Sequence, residues 1–223
     1  MTHNIGRSEK VEMYLKAILL LGQEALPVTV TRVAEFMGVS AAAASEMIKR
    51  LEQHDLVVSS REEGLALTET GAREARRLVR RMRLAERLLN DVLKLPLPQV
   101  YDEACKWEHA MSDSVVERLA QVLGEPETCP HGFPIPSPEG RVGCPLMHSL
   151  SSLQPGDEAM VVCVPERDRS LLEYLVSKGI VPGVRVKVED VAPFNGPIFL
   201  RIDGERKALA REALAEVRIQ PLG

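Results

Sequence analysis

Thr29-Val30-Thr31-Arg32-Val33-Ala34-Glu35-Phe36-Met37-Gly38-Val39-Ser40 packs the end of one helix and the start of another into a single short stretch. Thr29 or Thr31 can cap a short helix, and Gly38 stops it after Met37. Ser40 caps a second helix, Ala41 to His54, whose Met47, Ile48 and Leu51 recur at helical spacing and face inward. Two short helices joined by a glycine-containing turn predict a helix-turn-helix. Leu56–Ser59, a turn near Glu62-Glu63-Gly64, and Leu65-Ala66-Leu67 then read as a hairpin. Helix-turn-helix plus hairpin is a winged helix. Upstream, Ser8 to Leu21 predicts a helix with Val11, Tyr14, Leu15, Ile18 and Leu21 as its apolar stripe. Met13 lies about 160° from the centre of that stripe, a soft side chain on the wrong face for this core.

Downstream of the wing, Thr68–Gly71 starts a long helix, about Ala72 to Leu93, carrying Arg73, Arg76, Arg77, Arg80, Arg81, Arg83 and Arg87. The arginines predict a solvated face on a linking helix. Pro96 and Pro98 interrupt the chain, and one helix is expected from about Gln99 to Leu123. It contains Asp102-Glu103-Ala104-Cys105-Lys106-Trp107-Glu108-His109-Ala110-Met111-Ser112-Asp113. On a helix, Cys105, Glu108 and His109 stand at i, i+3 and i+4, which puts a thiol, a carboxylate and an imidazole on one face. Such a mixed soft and hard donor set suits a first-row transition ion rather than an all-oxygen calcium or magnesium cage. Gly124 to Pro155 is rich in Pro and Gly and reads as an ordered loop or linker. Beyond it come short strands, Met160–Val164, Arg185–Val188, Ile198–Ile202 and Val217–Ile219, with a helix over Ser170–Lys178. A small barrel of about five strands fits this length.

The 223 residues suffice for two or three small domains. The net charge of −4 hides an asymmetry: residues 1–83 carry 13 Lys+Arg against 11 Asp+Glu, and the remainder 15 against 21. The N-terminal part is therefore the one to test for DNA contact, and the acidic remainder could attract cations. No run approaches the ~20 apolar residues of a membrane span. Met1 to Lys10 has no apolar secretory core, which predicts a cytoplasmic protein. The four cysteines, Cys105, Cys129, Cys144 and Cys163, form no compact disulfide framework and read as free thiols or ligands.

With Val11–Leu15, Arg83–Leu89, Asp102–Asp113 and Cys129-Pro130-His131-Gly132 in view, the chain resembles the diphtheria toxin repressor (DtxR/MntR) family of metalloregulators over nearly its whole length. The resemblance implies a mainly α protein with a small β domain. Its parts are a winged helix-turn-helix at 1–73, a helical metal-binding and dimerisation domain at 74–150, and an SH3-like (FeoA-like) C-terminal barrel at 151–223. It also implies a primary metal site of Met13, Cys105, Glu108 and His109. One branch of the family builds a second site with histidines where this chain has Met82 and Tyr101. A manganese-responsive branch pairs a carboxylate with a Cys-Pro-His motif, which points here to Glu86, Cys129 and His131. Glu166 or Asp168 would supply the fourth ligand. Cys144, His148, His3, His54 and Cys163 are read as surface or core residues.

The recognition helix, Ala41 to Gln53, offers Ser40, Ala41, Ala42, Ala43 and Glu46 to base edges, with Lys49 and Arg50 beside the backbone. Alanine methyls can touch thymine methyls, and Glu46 can accept from a cytosine amino group. Phosphate contacts through Arg32, Arg50 and Arg61 should carry much of the affinity. The expected function is a homodimeric transcriptional regulator, activated by two Mn(II) or Fe(II) ions per subunit. It would bind a palindromic operator and repress metal-uptake genes. A metallohydrolase would need a general base that does not accompany the triplet. A redox sensor acting through Cys105 with Cys129 or Cys163 would answer to oxidant and need no metal.

Overall fold

The computed structural model describes residues 8–23, 26–60, 62–137 and 148–222. His3, Arg61 and Cys144 lie outside the described residues. The chain forms two compact units, Met1–Met82 with Pro136–Arg141, and Arg83–Ile135 with Val142–Gly223.

The first unit opens with α1 (Glu9–Leu21), capped by Ser8, whose side chain accepts from the Val11 N–H. α2 (Val30–Met37) starts at Thr29, which accepts from the Arg32 N–H, and ends at Gly38 with a left-handed φ of 65°. α3 (Ala41–Gln53) starts at Ser40, which accepts from the Ala43 N–H. These local hydrogen bonds satisfy amide groups that a helix leaves orphaned, which is why the boundaries fall where the side chains are. β1 (Val57–Ser60) and β2 (Gly64–Leu67) pair antiparallel, with Val57 opposite Leu67. Val11, Tyr14, Leu15, Ile18, Val33, Met47, Ile48, Leu51 and Leu56 close one core. Lys16 is also fully buried there, with its Nζ 3.7 Å from the sulfur of Met82.

α4 (Glu69–Arg87) begins three residues before the expected Ala72, because the Thr68 hydroxyl accepts from the Gly71 N–H. It continues as a π-helical segment, Leu88–Val92. The solvated face expected of its arginines forms only in part: Arg73 and Arg77 are exposed, but the arginines further along turn inward. Arg83 is 1% exposed and Arg80 7% exposed. Arg80 donates to the Pro136 carbonyl, Arg83 to the Pro134 carbonyl, and Arg87 to the Thr128 carbonyl at 2.6 Å. Arg83 also stacks over the Phe133 ring, 5.3 Å from its centroid. Arginine's long apolar stem can be buried while its fork satisfies backbone oxygens.

The single helix expected from Gln99 to Leu123 is two. α5 (Leu97–Trp107) ends where the Glu108 N–H closes on Ala104, and α6 (Asp113–Val122) restarts at Ser112, which caps the Val115 N–H. The rest of the second unit is a six-stranded antiparallel sheet. Its strands are β3 (His148–Ser149), β4 (Glu158–Cys163), β5 (Arg185–Val191), β6 (Ile198–Ile202), β7 (Glu205–Leu209) and β8 (Arg218–Leu222), in the order β3-β8-β4-β5-β6-β7. α7 (Arg169–Ser177) and α8 (Arg211–Ala215) complete it. Alternate residues of the strands, Ala159 and Val161, Val186 and Val188, Ile198, Leu200 and Ile202, fill one core with Leu172 and Leu175 of α7. β3 and β7 had no counterpart among the expected strands.

Candidate metal centre

Four side chains from three parts of the second unit converge. Glu86, from the last turn of α4, is fully buried. Cys129 and His131, 1% and 0% exposed, belong to the turn Cys129-Pro130-His131-Gly132, closed by the Gly132 N–H donating to the Cys129 carbonyl at 2.9 Å. Glu166 follows β4. The ligand atoms of all four lie within 4.8 Å of one another. Among the described residues this is the one such group of three or more His, Cys, Asp or Glu side chains.

The backbone explains the convergence. The β4–β8 register shifts between Val161 and Cys163, a bulge centred on Val162. The turn docks there: the Val164 N–H donates to the His131 carbonyl at 3.0 Å. Gly132 has φ +95°, and a Cβ on it would sit 1.8 Å from the Val162 carbonyl oxygen. Only glycine permits both the conformation and the approach. The bulge thus re-aims the chain after β4 and delivers Glu166 to the turn. Asp168, the other expected fourth ligand, instead caps α7, its carboxylate accepting from the Leu171 N–H at 2.9 Å. On the far side, the Arg83, Arg87 and Phe133 contacts clamp the turn to α4, and the π-helical segment begins two residues after Glu86. Such π turns are frequent at functional sites.

The electrostatics suit a cation. Neither oxygen of Glu86 has a hydrogen-bond partner, and the imidazole nitrogen His131 Nδ1 stands 3.6 Å from Oε2. His131 Nε2 lies 3.3 Å from the Leu97 carbonyl. A carbonyl only accepts, so Nε2 holds a proton and Nδ1 faces the cluster. Metal-ligating histidines are commonly oriented in this way. Burial, then the Glu86 and Glu166 carboxylates, push the Cys129 thiol well above its ordinary range, with Arg83 opposing. Burial works against a charged His131, but Glu86 and then Glu166 raise its pKa overall. Two carboxylates and a thiol, buried around one imidazole with an orphaned acid among them, fit a divalent transition ion.

The other expected ligands are placed as follows. Met13 is half-buried on α1, in the first unit. Cys105 is a half-buried cysteine on the last turn of α5, in the second unit. Glu108 is fully buried at the helix end, and His109 lies in the turn beyond, its Nε2 3.5 Å from Glu108 Oε1. Glu108 keeps helical dihedrals and its N–H bond to the Ala104 carbonyl, so only His109 stands beyond the helix. Cys163 is buried at the end of β4; His54 and His148 are exposed.

On α3, Ala41, Ala42, Ala43, Glu46, Lys49 and Arg50 are all exposed, opposite buried Ala44, Met47, Ile48 and Leu51. Ser40 caps the helix. Arg32 has another task as well: its guanidinium donates to the Leu26 and Pro27 carbonyls at 2.7 and 2.9 Å.

Three family models match along the chain. They are "Iron dependent repressor, N-terminal DNA binding domain" at residues 7–65, "Iron dependent repressor, metal binding and dimerisation domain" at 68–137, and "FeoA domain" at 148–221. The iron-dependent repressor IdeR of Mycobacterium tuberculosis is 34% identical over 95% of this chain and 97% of its own length. The chain belongs to the diphtheria toxin repressor family. The diphtheria toxin repressor of Corynebacterium diphtheriae is 41% identical over 57% of each protein. A solved manganese-dependent transcriptional repressor in complex with manganese superimposes with a TM-score of 0.89, at 34% identity, covering 95% of this chain and all of that one. Within this family the winged helix is the DNA-binding domain, the helical part the metal-binding and dimerisation domain, and the SH3-like sheet the FeoA domain. The chain is a metal-dependent transcriptional repressor. Among the described residues, no helix is long and apolar enough to cross a membrane.

Proposed function

We propose that this repressor is activated by Mn(II) or Fe(II) at two sites per subunit and, as a homodimer on a palindromic operator, shuts down metal-uptake genes in the cytoplasm. The observation that carries the reading is the buried Glu86–Cys129–His131–Glu166 cluster, whose orphaned carboxylate and oriented imidazole suit a cation and little else. It is the second site, with Glu166 as its fourth donor. Met13, Cys105, Glu108 and His109 are the primary site. The expected division at 1–73, 74–150 and 151–223 gives each activity its own segment.

Met13 belongs to the helix that packs behind the helix-turn-helix, and the other three donors belong to the dimerisation segment. A bound divalent ion supplies a cross-link between these segments and compensates the charge of their donors. Two recognition helices must stand about one DNA turn apart, ~34 Å, to engage both half-sites. Holding Met13 to Cys105, Glu108 and His109 selects that arrangement from a looser ensemble. On the operator, Ser40, Ala42, Ala43 and Glu46 face bases, while Lys49, Arg50, Arg61 and Arg32 stand by phosphates. Relatives described as iron-dependent and as manganese-dependent both support the choice of ions. A redox sensor working through Cys129 is disfavoured, because a thiol pushed up by burial is a poor nucleophile.

The test is operator binding by Cys105→Ala, Glu108→Ala and Met13→Ala. The first two should abolish metal-activated binding and leave a folded dimer. Met13→Ala should lose DNA response more severely than metal affinity, because it cuts the link rather than the site. Normal metal-dependent repression by Met13→Ala would show that this coupling is wrong.

A further inference from the structure

The FeoA sheet meets the buried cluster at a second place besides Glu166. His131 is held at both ends: its carbonyl accepts from the Val164 N–H at 3.0 Å, and its ring nitrogen Nε2 lies 3.3 Å from the Leu97 carbonyl. Leu97 is the first residue of α5, with Pro96 before it and Pro98 after it. Its half-buried side chain packs against the core that the sheet makes with α7. The approach to Leu97 is fastened as well. The Asn90 amide, in the π-helical segment, donates to the Leu95 carbonyl at 2.9 Å, and the Leu95 N–H donates to the Leu89 carbonyl at 2.9 Å. Between these anchors Lys94 takes a left-handed φ of 59°, which is uncommon for a long side chain and marks a constrained turn. The two prolines fix their own φ on either side of Leu97. A carbonyl held from the helix on one side and from the sheet core on the other has little freedom to turn aside.

We infer that Leu97 is a positioning residue for the second site: seated on the sheet core, it aims its carbonyl at His131 Nε2, keeps the proton there, and so leaves Nδ1 as the nitrogen that binds a divalent ion. The inference rests on reading Glu86, Cys129, His131 and Glu166 as ligands. An imidazole has two nitrogens, and the one without the proton is the one that can bind. Nδ1 is the nitrogen 3.6 Å from Glu86 Oε2. The other tautomer would turn an N–H toward the ion and a lone pair toward the Leu97 carbonyl, and a carbonyl only accepts. Outer groups that fix a ligating histidine in this way commonly govern how tightly its metal is held. The FeoA domain therefore serves the site twice, with Glu166 as a donor and with the apolar seat that holds Leu97. Affinity at the cluster depends on how the sheet core is packed, although Leu97 is no ligand.

The experiment uses the full chain in a Cys105→Ala background, so that the second site alone responds, with isotopically labelled histidine ring nitrogens. Zn(II) is the probe because it is diamagnetic. Proton–nitrogen correlation spectra of the rings report which nitrogen carries the proton and which binds the ion, and a His131→Gln variant assigns the His131 resonances. In mildly alkaline buffer the parent should carry its proton on Nε2 with and without Zn(II), and bind Zn(II) through Nδ1. Leu97→Ala should weaken Zn(II) about 10-fold or more and give His131 a mixture of tautomers in the metal-free protein. Leu97→Met keeps the volume, so it should restore the single tautomer and bring the affinity back to within about 2-fold. A leucine that only fills space would lower the melting temperature of Leu97→Ala and leave tautomer and affinity alone. Asn90→Ala spares the sheet core and should shift the tautomer the same way; it carries the test if Leu97→Ala fails to fold. An unchanged tautomer and affinity in the folded variant, or Zn(II) on Nε2 in the parent, overturns the inference. Zn(II) that moves no His131 resonance of the parent would overturn the reading of the cluster as a metal site, and this inference with it.

Discussion

Replacing Glu86 by methionine should stabilise the metal-free protein while erasing its response to metal at the buried cluster. Glu86 is fully buried, its oxygens have no hydrogen-bond partner, and an imidazole nitrogen stands 3.6 Å from Oε2. An acid in that position is costly without an ion. A buried acceptor left unsatisfied costs about 1–3 kcal/mol, which an apolar side chain of similar volume recovers. His131 leaves no stranded charge, because it can shed its proton. At about 2–4 °C per kcal/mol for a chain of this size, the metal-free melting temperature should rise by roughly 2–12 °C. The metal response moves the other way. An ion at 100 times its Kd stabilises a site by about 2.7 kcal/mol, or roughly 5–11 °C. Thermal melts followed by circular dichroism, with chelator and with excess Mn(II), read both quantities. Carrying them out in a Cys105→Ala background leaves only the second site to respond. If Glu86 and His131 are simply a structural ion pair, Glu86→Met should instead destabilise by about 3–5 kcal/mol and leave any metal response intact. That outcome would refute the reasoning.

Other consequences follow from the same geometry. Gly132→Ala must displace the turn, since its Cβ would meet the Val162 carbonyl at 1.8 Å and φ is +95°; the strained φ alone costs about 1–2 kcal/mol, and metal analysis should show one ion fewer per chain. Binding at the second site should release the proton of the Cys129 thiol, raised by burial, and, below the raised His131 pKa, a second from His131, which Glu86 raises although burial opposes its charge. Calorimetry in two buffers of different ionisation heat measures that release, and apparent metal affinity should climb with pH. The metal-free protein runs the opposite way: a raised His131 contributes most in acid, and its contribution is lost as pH rises through the raised pKa. Operator affinity should fall steeply with salt, with a slope of about −0.9 in log K per neutralised phosphate. Arg50→Ala should flatten that slope and weaken all operators alike, whereas Glu46→Gln should reorder operator preference.

The helix-turn-helix was legible because its signals are local. Thr29, Gly38 and Ser40 each act within three or four residues of themselves, and the structure uses all three as read. The later arginines of α4 were misread because their partners are distant. Arg80, Arg83 and Arg87 find carbonyls 41 to 56 residues away, and a charged stripe gives no hint of an incoming proline-rich turn. The break after Trp107 was legible in principle: Ser112-Asp113 is an N-terminal cap signal inside a run otherwise read as helix. Asp168 carried the same kind of signal, ahead of Leu171 and Leu172, and could have been set aside as a cap. That would have left Glu166, but how Glu166 reaches the turn was not legible, because it is the bulge at Val162 that aims the chain after β4. Strand β7, Glu205–Leu209, hides in charge, as edge strands often do. Tyr101 was noticed only as the residue standing in place of a histidine.

The measurement that tests the account most directly is operator binding by the purified full chain, stripped of metal and then titrated anaerobically with Mn(II) and, separately, with Fe(II). The account predicts that the stripped protein stays folded but loses specific binding. Either ion should restore it, at concentrations that follow occupancy of the site containing Cys105. Specific binding that persists unchanged after verified metal removal would contradict it.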